Sequence, residues 1–140
     1  MAQRQSLTPA QTITAAQAAA MVRSGMWIDY GATLCQPDVF DQALALRKDE
    51  LHDVKFRSCI TMRPRAVLDQ DPEGEHFHLF SMHFSGYDRK MHDAGRVHYL
   101  PVNLGEIPDY YRRFIPPVDI VVLKTCRMDE NGYFNFSAAN

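Results

Sequence analysis

Neither sign of charge dominates this chain. Its 140 residues carry 15 lysines and arginines against 17 acids, for a formal net charge of -2. Such a balance supplies no positive field to hold nucleic acid or an anionic membrane by counterion release, so neither partner is expected. No stretch approaches the ~18 consecutive apolar residues of a membrane span. Residues 1–11 lack an apolar secretory segment behind a basic start, and a cytoplasmic location is the expectation. Cysteine is scarce. Cys35, Cys59 and Cys126 are odd in number and widely spaced, which gives neither a disulfide framework nor a Cys-x-x-Cys zinc pair. Each lies in or beside an apolar run, which predicts mostly buried, reduced thiols. Also missing are Gly-x-Gly-x-x-Gly, a Gly-Lys-Ser/Thr phosphate loop and a Gly-x-Ser-x-Gly elbow. What is present is 46% apolar and 11% aromatic residues, enough for one globular domain with a real core.

Punctuation along the chain sets the elements. Residues 1–13 read as a polar lead-in. Thr14-Ala15-Ala16-Gln17 is a capping box opening an alanine-rich helix that runs to Val22 and Arg23, with Gly25 as terminator. Met26–Tyr30 reads as a strand, and after the loop Gly31–Pro37 a helix is expected with Asp38 as its cap. Further strands are expected over 55–61, 77–84, 97–100 and 119–124, and further helices over 88–94 and 107–114. In the last helix Ile107 and Phe114 are expected to point inward. Pro64, Pro72 and Gly74 make 62–75 read as a surface loop. The near-continuous apolar run of 119–124 suggests burial on both faces. Strand and helix alternate about five times, which predicts an α/β fold with a mostly parallel sheet flanked by helices. The loops after Tyr30, Ile60, Phe84 and Lys124 then share the carboxyl edge, where ligands sit in such sheets. Asn131-Gly132 signals a turn, and the apolar arm Tyr133–Phe136 behind it is an open edge that invites a partner.

Six histidines raise the question of a metal. His76 and His78 point the same way on a strand and His83 the opposite way, but a catalytic zinc needs a third protein ligand. No motif supplies one, so no metal is expected and hydrogen-bonded or solvated histidines are the plainer reading. Cys35 lies after a strand and ahead of a helix, where a thiolate is stabilised, although a packed thiol explains it equally. The Gly31 loop places backbone amides and a positive helix terminus at the sheet edge, suited to a thioester oxygen, carboxylate or phosphate. Arg63 and Arg65 flank Pro64, and Arg89 and Lys90 follow Gly86. These are either phosphate grips or solvated surface charges.

Several runs occur together in order. They are Gly31-Ala32-x-x-x-Gln36-Pro37, Phe40-Asp41-Gln42-Ala43-Leu44-Ala45, Met62-Arg63-Pro64-Arg65-Ala66-Val67 and Asp71-Pro72-Glu73-Gly74-Glu75-His76-Phe77. Ser85-Gly86-Tyr87-Asp88-Arg89-Lys90, Tyr99-Leu100-Pro101-Val102, Glu106-Ile107-Pro108 and the stretch from Asp129 to Ser137 follow. From about Thr14 onward the chain resembles the acetyl-CoA hydrolase/transferase family, nearest its butyryl-CoA:acetate and 4-hydroxybutyrate CoA-transferases. The resemblance implies the CoA-transferase (NagB/RpiA-like) fold, with 14–140 as an incomplete N-terminal domain, roughly the first third of a family member. It further implies acyl-CoA and a short-chain carboxylate as partners, coenzyme A as substrate and no permanently bound cofactor. The reaction it implies runs through a glutamyl-CoA thioester. The nucleophilic glutamate of the family lies in the second half. None of Glu50, Glu73, Glu75, Glu106 or Glu130 matches it, so no catalytic residue is assigned in this chain. Edge-loop logic combined with the family pattern nominates Gly31, Ala32, Gln36, Pro37, Met62 and Arg63 as substrate-binding residues, with Ser85 and Gly86 as a third site. A homo-oligomer or a missing C-terminal domain is expected to cover the open edge. An acyl-CoA hydrolase, a non-catalytic acyl-CoA-binding domain and a metal-dependent hydrolase using His76 and His78 are the competing readings.

Overall fold

The computed structural model describes residues 10–136 and 138. Most of the expected lead-in, together with Ser137 and residues 139–140, lies outside the described residues. Five parallel strands form one sheet in the order β4-β3-β2-β1-β5. They are β1 (Trp27–Tyr30), β2 (Val54–Ser58), β3 (Phe77–Ser81), β4 (Val97–Tyr99) and β5 (Ile120–Val122). The helices are α1 (Ala15–Ala19), α2 (Asp38–Ala45), α3 (Ala66–Gln70), α4 (Gly86–Asp93) and α5 (Ile107–Arg113). The α/β class with a parallel sheet is as the alternation of elements predicts.

The period of two along the strands decides which face is buried. Ile28, Tyr30, Val54, Phe56, Phe77, Leu79 and Val97 point to one face and join Ala19, Phe40, Leu44, Val67 and Leu68 in the core. Phe56 sits at its centre, fully buried, with Tyr30 and Phe77 rings 5.1 and 5.8 Å away. Deleting such a ring costs about 3–5 kcal/mol. The opposite face carries Trp27, Asp29, Arg57 and Phe80, and α5 packs there. The chain therefore winds from β1 to β4 in one direction, crosses the other face through α5 and returns beside β1.

Local chemistry accounts for the places where elements begin and end. The Thr14–Gln17 capping box is present, with Gln17 N donating to Thr14 Oγ1 at 3.1 Å and Thr14 N to Gln17 Oε1 at 2.8 Å. α1 is nevertheless shorter than expected: after Ala19 the chain tightens into Met21 N to Ala18 O and Val22 N to Ala19 O turns, and the Arg47 guanidinium donates to the carbonyls of Ala19 and Val22. The stretch 62–75 is not all loop. It contains α3, whose first amide, Ala66 N, donates 2.6 Å to Asp41 Oδ2 of α2. A cap supplied from another helix leaves no local signature. Asp38 does not cap α2; it is the first helical residue, and its carboxylate turns to basic side chains instead. β2 ends sooner than expected because Ile60 adopts φ +52°, a left-handed conformation rare for a β-branched residue.

Three further expectations change. β5 lies at an edge of the described sheet, and Val121 is 56% exposed rather than buried on both faces. On α5 Ile107 is part-buried and lines an apolar cavity, as expected, but Phe114 is 70% exposed, and it is Tyr111, 38% exposed, whose hydroxyl reaches Asp29 on the sheet. Of the thiols only Cys35 is buried; Cys59 is half-buried and Cys126 exposed. The Asn131–Gly132 turn is present, with Gly132 at φ +85° and Asp129 N donating to Tyr133 O at 2.9 Å. Its returning arm reaches the sheet edge, where Cys35 Sγ lies 3.4 Å from Phe136 O.

Candidate functional site

All five strands being parallel, the loops after Tyr30, Ser58, Ser81 and Val122 meet at one carboxyl edge, as the alternation predicts. Backbone bonds lace them together. Gly31 N donates to Val122 O (3.0 Å), Thr33 N to Cys59 O (3.1 Å), Ile60 N to His83 O (2.8 Å) and Lys124 N to Cys35 O (3.0 Å). The Gly31 loop is therefore a fixed shelf rather than a free flap.

Glycine at 31 is dictated by contact and not by a positive φ. A Cβ built there would stand 2.5 Å from Cys35 O. The tight reversal buries Cys35 and Gln36, and it engages the amides of Gly31, Thr33 and Cys35 within the protein. Gln36 is also committed at both ends: Nε2 donates to Ser58 Oγ (3.1 Å), and Met62 N donates to Oε1 (3.3 Å). It pins the Met62 loop to the end of β2. Pro37 precedes α2, and Ala32 sits at the turn into a short 3-10 segment. Of the loop residues nominated from sequence, Met62 and Arg63 present exposed side chains.

Ser85 and Gly86 open α4. Ser85 Oγ accepts from Asp88 N (3.0 Å) and donates to Thr61 O (2.6 Å), while Asp88 Oδ2 accepts from Ser85 N and Thr61 N. This capping box is thereby fused to the loop after β2, which bridges the second and third edge loops. Thr61 Oγ1 and Asp88 Oδ1 are buried without a partner. A Cβ on Gly86 would meet nothing within 4 Å, so that position faces open space.

Charge concentrates around Asp38. Arg65 Nη2 lies 2.7 Å from Oδ1, while Arg63 Nη1 and Lys124 Nζ each lie 3.1 Å from Oδ2. Partial burial pushes this carboxyl up, but the bonds from Arg65 and Lys124 outweigh it and hold the group below its ordinary value. Asp41 nearby goes the other way: burial dominates and raises it, against Arg65, the Ala66 amide and the Tyr30 hydroxyl. Arg65 was visible in the Met-Arg-Pro-Arg run. Lys124 and Asp38 were not, because only the β1–β5 adjacency brings them to the same place. Arg89 and Lys90 are exposed on α4 and stand outside this cluster.

A separate apolar cavity of about 270 Å³ opens between the ends of β2 and β3, lined by Cys59, Ile60, Met82, His83, Val102, Leu104 and Ile107. Burial and the Asp88 charge push the Cys59 thiol up, which keeps it protonated near neutrality. The histidines do not converge. His76 Nδ1 contacts Leu51 O (2.6 Å), and His78 faces Asp53 (3.8 Å) and the His98 ring. Among the described residues no three His, Cys, Asp or Glu side chains gather as a metal-ligand set.

Comparison with known proteins gives one consistent result. The family model for the acetyl-CoA hydrolase/transferase N-terminal domain matches residues 2–139. The chain is 38% identical over 123 residues to a butyryl-CoA:acetate CoA-transferase of Anaerostipes caccae, covering 88% of this chain and 28% of that protein. It is 40% identical over 129 residues to a "Probable butyrate:acetyl-CoA coenzyme A-transferase" of Syntrophomonas wolfei subsp. wolfei, covering 91% of this chain and 28% of the relative. The crystal structure of RipA from Yersinia pestis superposes with a TM-score of 0.71 at 22% identity, over 87% of this chain and 30% of that one. The chain thus spans a little over a quarter of the length of the curated relatives it matches.

Proposed function

Because the chain belongs to the acetyl-CoA hydrolase/transferase family, as its N-terminal domain, we propose that it forms one wall of a cleft in which coenzyme A passes from a short-chain acyl thioester to a carboxylate. The match along nearly the whole chain to an N-terminal transferase domain carries this reading. The shared carboxyl edge, with its fixed Gly31 shelf and basic cluster, is where such a ligand would lie.

In the proposed reaction a glutamate outside these 140 residues attacks the acyl-CoA carbonyl. The C–S bond breaks, leaving a mixed anhydride and CoA thiolate. The thiolate then attacks the glutamyl carbonyl, which gives glutamyl-CoA and releases the first acid as its carboxylate. The acceptor acid, with acetate as our proposal, reverses these two steps. This chain's part is positioning. Gly31, Ala32 and Pro37 shape the shelf, Gln36 holds Met62 and Arg63 beside it, and Ser85 and Gly86 form its far side. A cytoplasmic enzyme, completed by further polypeptide or by a second copy, goes with this reading.

The test is twofold. The 140-residue chain should bind coenzyme A in a calorimetric titration, yet form no acetyl-CoA from butyryl-CoA and acetate. Turnover at an ordinary enzymatic rate by this chain alone would refute the placement of the nucleophile elsewhere. Failure to bind coenzyme A would refute the wall itself.

A further inference from the structure

β4 hangs on a single neighbour. It has three residues, lies at an edge of the described sheet and pairs only with β3, so side-chain pairs across the two strands carry much of its attachment. Val97 turns into the core, while His98 is exposed on the opposite face. Beyond β4 the chain runs on to Val102 and Leu104, which line the apolar cavity. Whatever loosens β4 therefore loosens one wall of that cavity.

On the face away from the core, basic side chains line up across neighbouring strands. Lys55 of β2 stands directly opposite His78 of β3, and His98 of β4 is paired with Phe80, two residues further along. The His98 ring lies 6.5 Å from that of His78 and 4.9 Å from that of Phe80. The acids facing this row already have cationic partners. Asp53, 3.8 Å from His78, pairs with Lys55 at 2.5 Å and also feels His52. Asp71 accepts from three amides and faces Arg96 at 3.8 Å. Arg57, in register with Phe80, is turned to Asp29. Behind β4, His92 of α4 meets Val97 O through Nδ1 at 2.8 Å, a bond that a protonated ring keeps. Protons on both His78 and His98 thus add positive charge beside Lys55, and like charges on neighbouring strands weaken their pairing. Burial, aided by His98 and Lys55, outweighs Asp53 and Asp71 and holds the His78 imidazole below its ordinary value. Stability tied to such a neutral histidine is present above the unfolded value near ~6.5 and lost as pH falls through the folded one.

We propose that His78 and His98 form an acid-sensitive latch on the β4 edge. With both rings neutral, β4 stays paired to β3. With both protonated, the charge they share with Lys55 loosens that pairing and the cavity wall beyond it. The latch rests on strand register and side-chain placement, whatever reaction the completed protein performs.

Hydrogen exchange followed by NMR on the 140-residue chain at pH 7.5 and 5.0 tests it, with rates corrected for the intrinsic pH dependence of exchange. The reporter is the Leu100 amide, which donates to Ser81 O at 3.0 Å where β4 gives way to the cavity wall. The control is the Gly31 amide, bonded to Val122 O at 3.0 Å beside β5. From pH 7.5 to 5.0 the Leu100 protection factor should fall about tenfold or more, while that of Gly31 stays within about threefold. His78→Gln and His98→Gln should each cut the Leu100 fall to about threefold or less. A Leu100 protection factor that holds in the parent would overturn the latch. So would an equal fall at Gly31, which would be a general weakening by acid, or a full fall retained in both variants, which would place the titrating group elsewhere.

Discussion

Tyr111 donates its phenolic hydrogen to Asp29 Oδ2 at 2.6 Å, joining α5 to β1 across 82 residues of sequence. Asp29 Oδ1 meanwhile accepts from Arg57 Nε at 2.6 Å, and the Arg57 guanidinium lies 5.0 Å from the centres of both the Trp27 and Tyr111 rings. Arg57 also donates to Pro116 O at 2.8 Å. One buried cation therefore fastens α5 and the connection to β5 onto the sheet, and so helps fix where β5 lies. Burial and the Asp29 bond push the Tyr111 hydroxyl far up, so it stays a donor throughout the working range.

Removing members of this cluster should separate a bond from a buried charge. Tyr111→Phe loses one hydrogen bond to a charged acceptor, and a loss of about 1.5–3 kcal/mol is expected in urea unfolding. Asp29→Asn leaves the 1%-exposed Arg57 without its counter-ion, and about 3–5 kcal/mol is expected. Equal effects of the two substitutions would mean that the ion pair carries no more than the hydroxyl does.

Acid should weaken the fold through Asp71. Its carboxylate accepts from the amides of Glu75, His76 and Phe77 at 3.2, 2.9 and 2.8 Å, and Arg96 lies 3.8 Å away. Burial alone would raise this group, but the three amides and Arg96 hold it below its ordinary value. A depressed folded-state value contributes stability that is present above the unfolded carboxyl value near ~3.9 and lost as pH falls through the folded one. Thermal melts from pH 6 to 2.5 should show the parent falling on the acid side below about pH 4. Asp71→Asn should start lower at pH 6 and fall less. A parallel decline in both would assign the acid loss to other carboxylates.

The thiols should react in the order of their surroundings. Cys126 is exposed, Cys59 is half-buried with its thiol pushed up by burial and Asp88, and Cys35 is buried against Phe136 O. A disulfide reagent at neutral pH should label Cys126 fast, Cys59 slowly and Cys35 only after unfolding. Rapid labelling of Cys35 would show that the arm carrying Phe136 does not rest on the sheet edge.

Much of this was legible in the residues. Period-two strands, the Thr14 box and the glycine stops predict the class, the parallel sheet and the sharing of one edge by four loops. What stayed hidden is tertiary in origin. α3 has only five residues and takes its cap from Asp41, so no local pattern announces it. Asp38 reads as a helix cap until Arg65, Arg63 and Lys124 claim it, the last from 86 residues away. Gln36 looks like a polar group free for a ligand until both of its ends prove engaged. The β1–β5 adjacency that brings Lys124 to Asp38 follows from strand order, and strand order is not written in any single segment.

The two nominated glycines offer the sharpest separation of fold from function. At Gly31 an added methyl meets the Cys35 carbonyl oxygen at 2.5 Å, a backbone atom that cannot rotate away. Gly31→Ala should therefore shift the shelf and cost about 1–3 kcal/mol. In the full-length protein it should lower turnover together with stability. At Gly86 the same methyl meets nothing, the residue opens α4, and its backbone is not in the left-handed region. Gly86→Ala should leave stability equal or higher by up to ~1 kcal/mol, because only the unfolded chain loses freedom. Any change in turnover then reports contact with the substrate and not damage to the fold. On the proposed reading, which puts Gly86 at the far side of the cleft, turnover should drop while the urea midpoint holds; parental turnover would remove Gly86 from the site and leave Ser85 there as a helix cap alone.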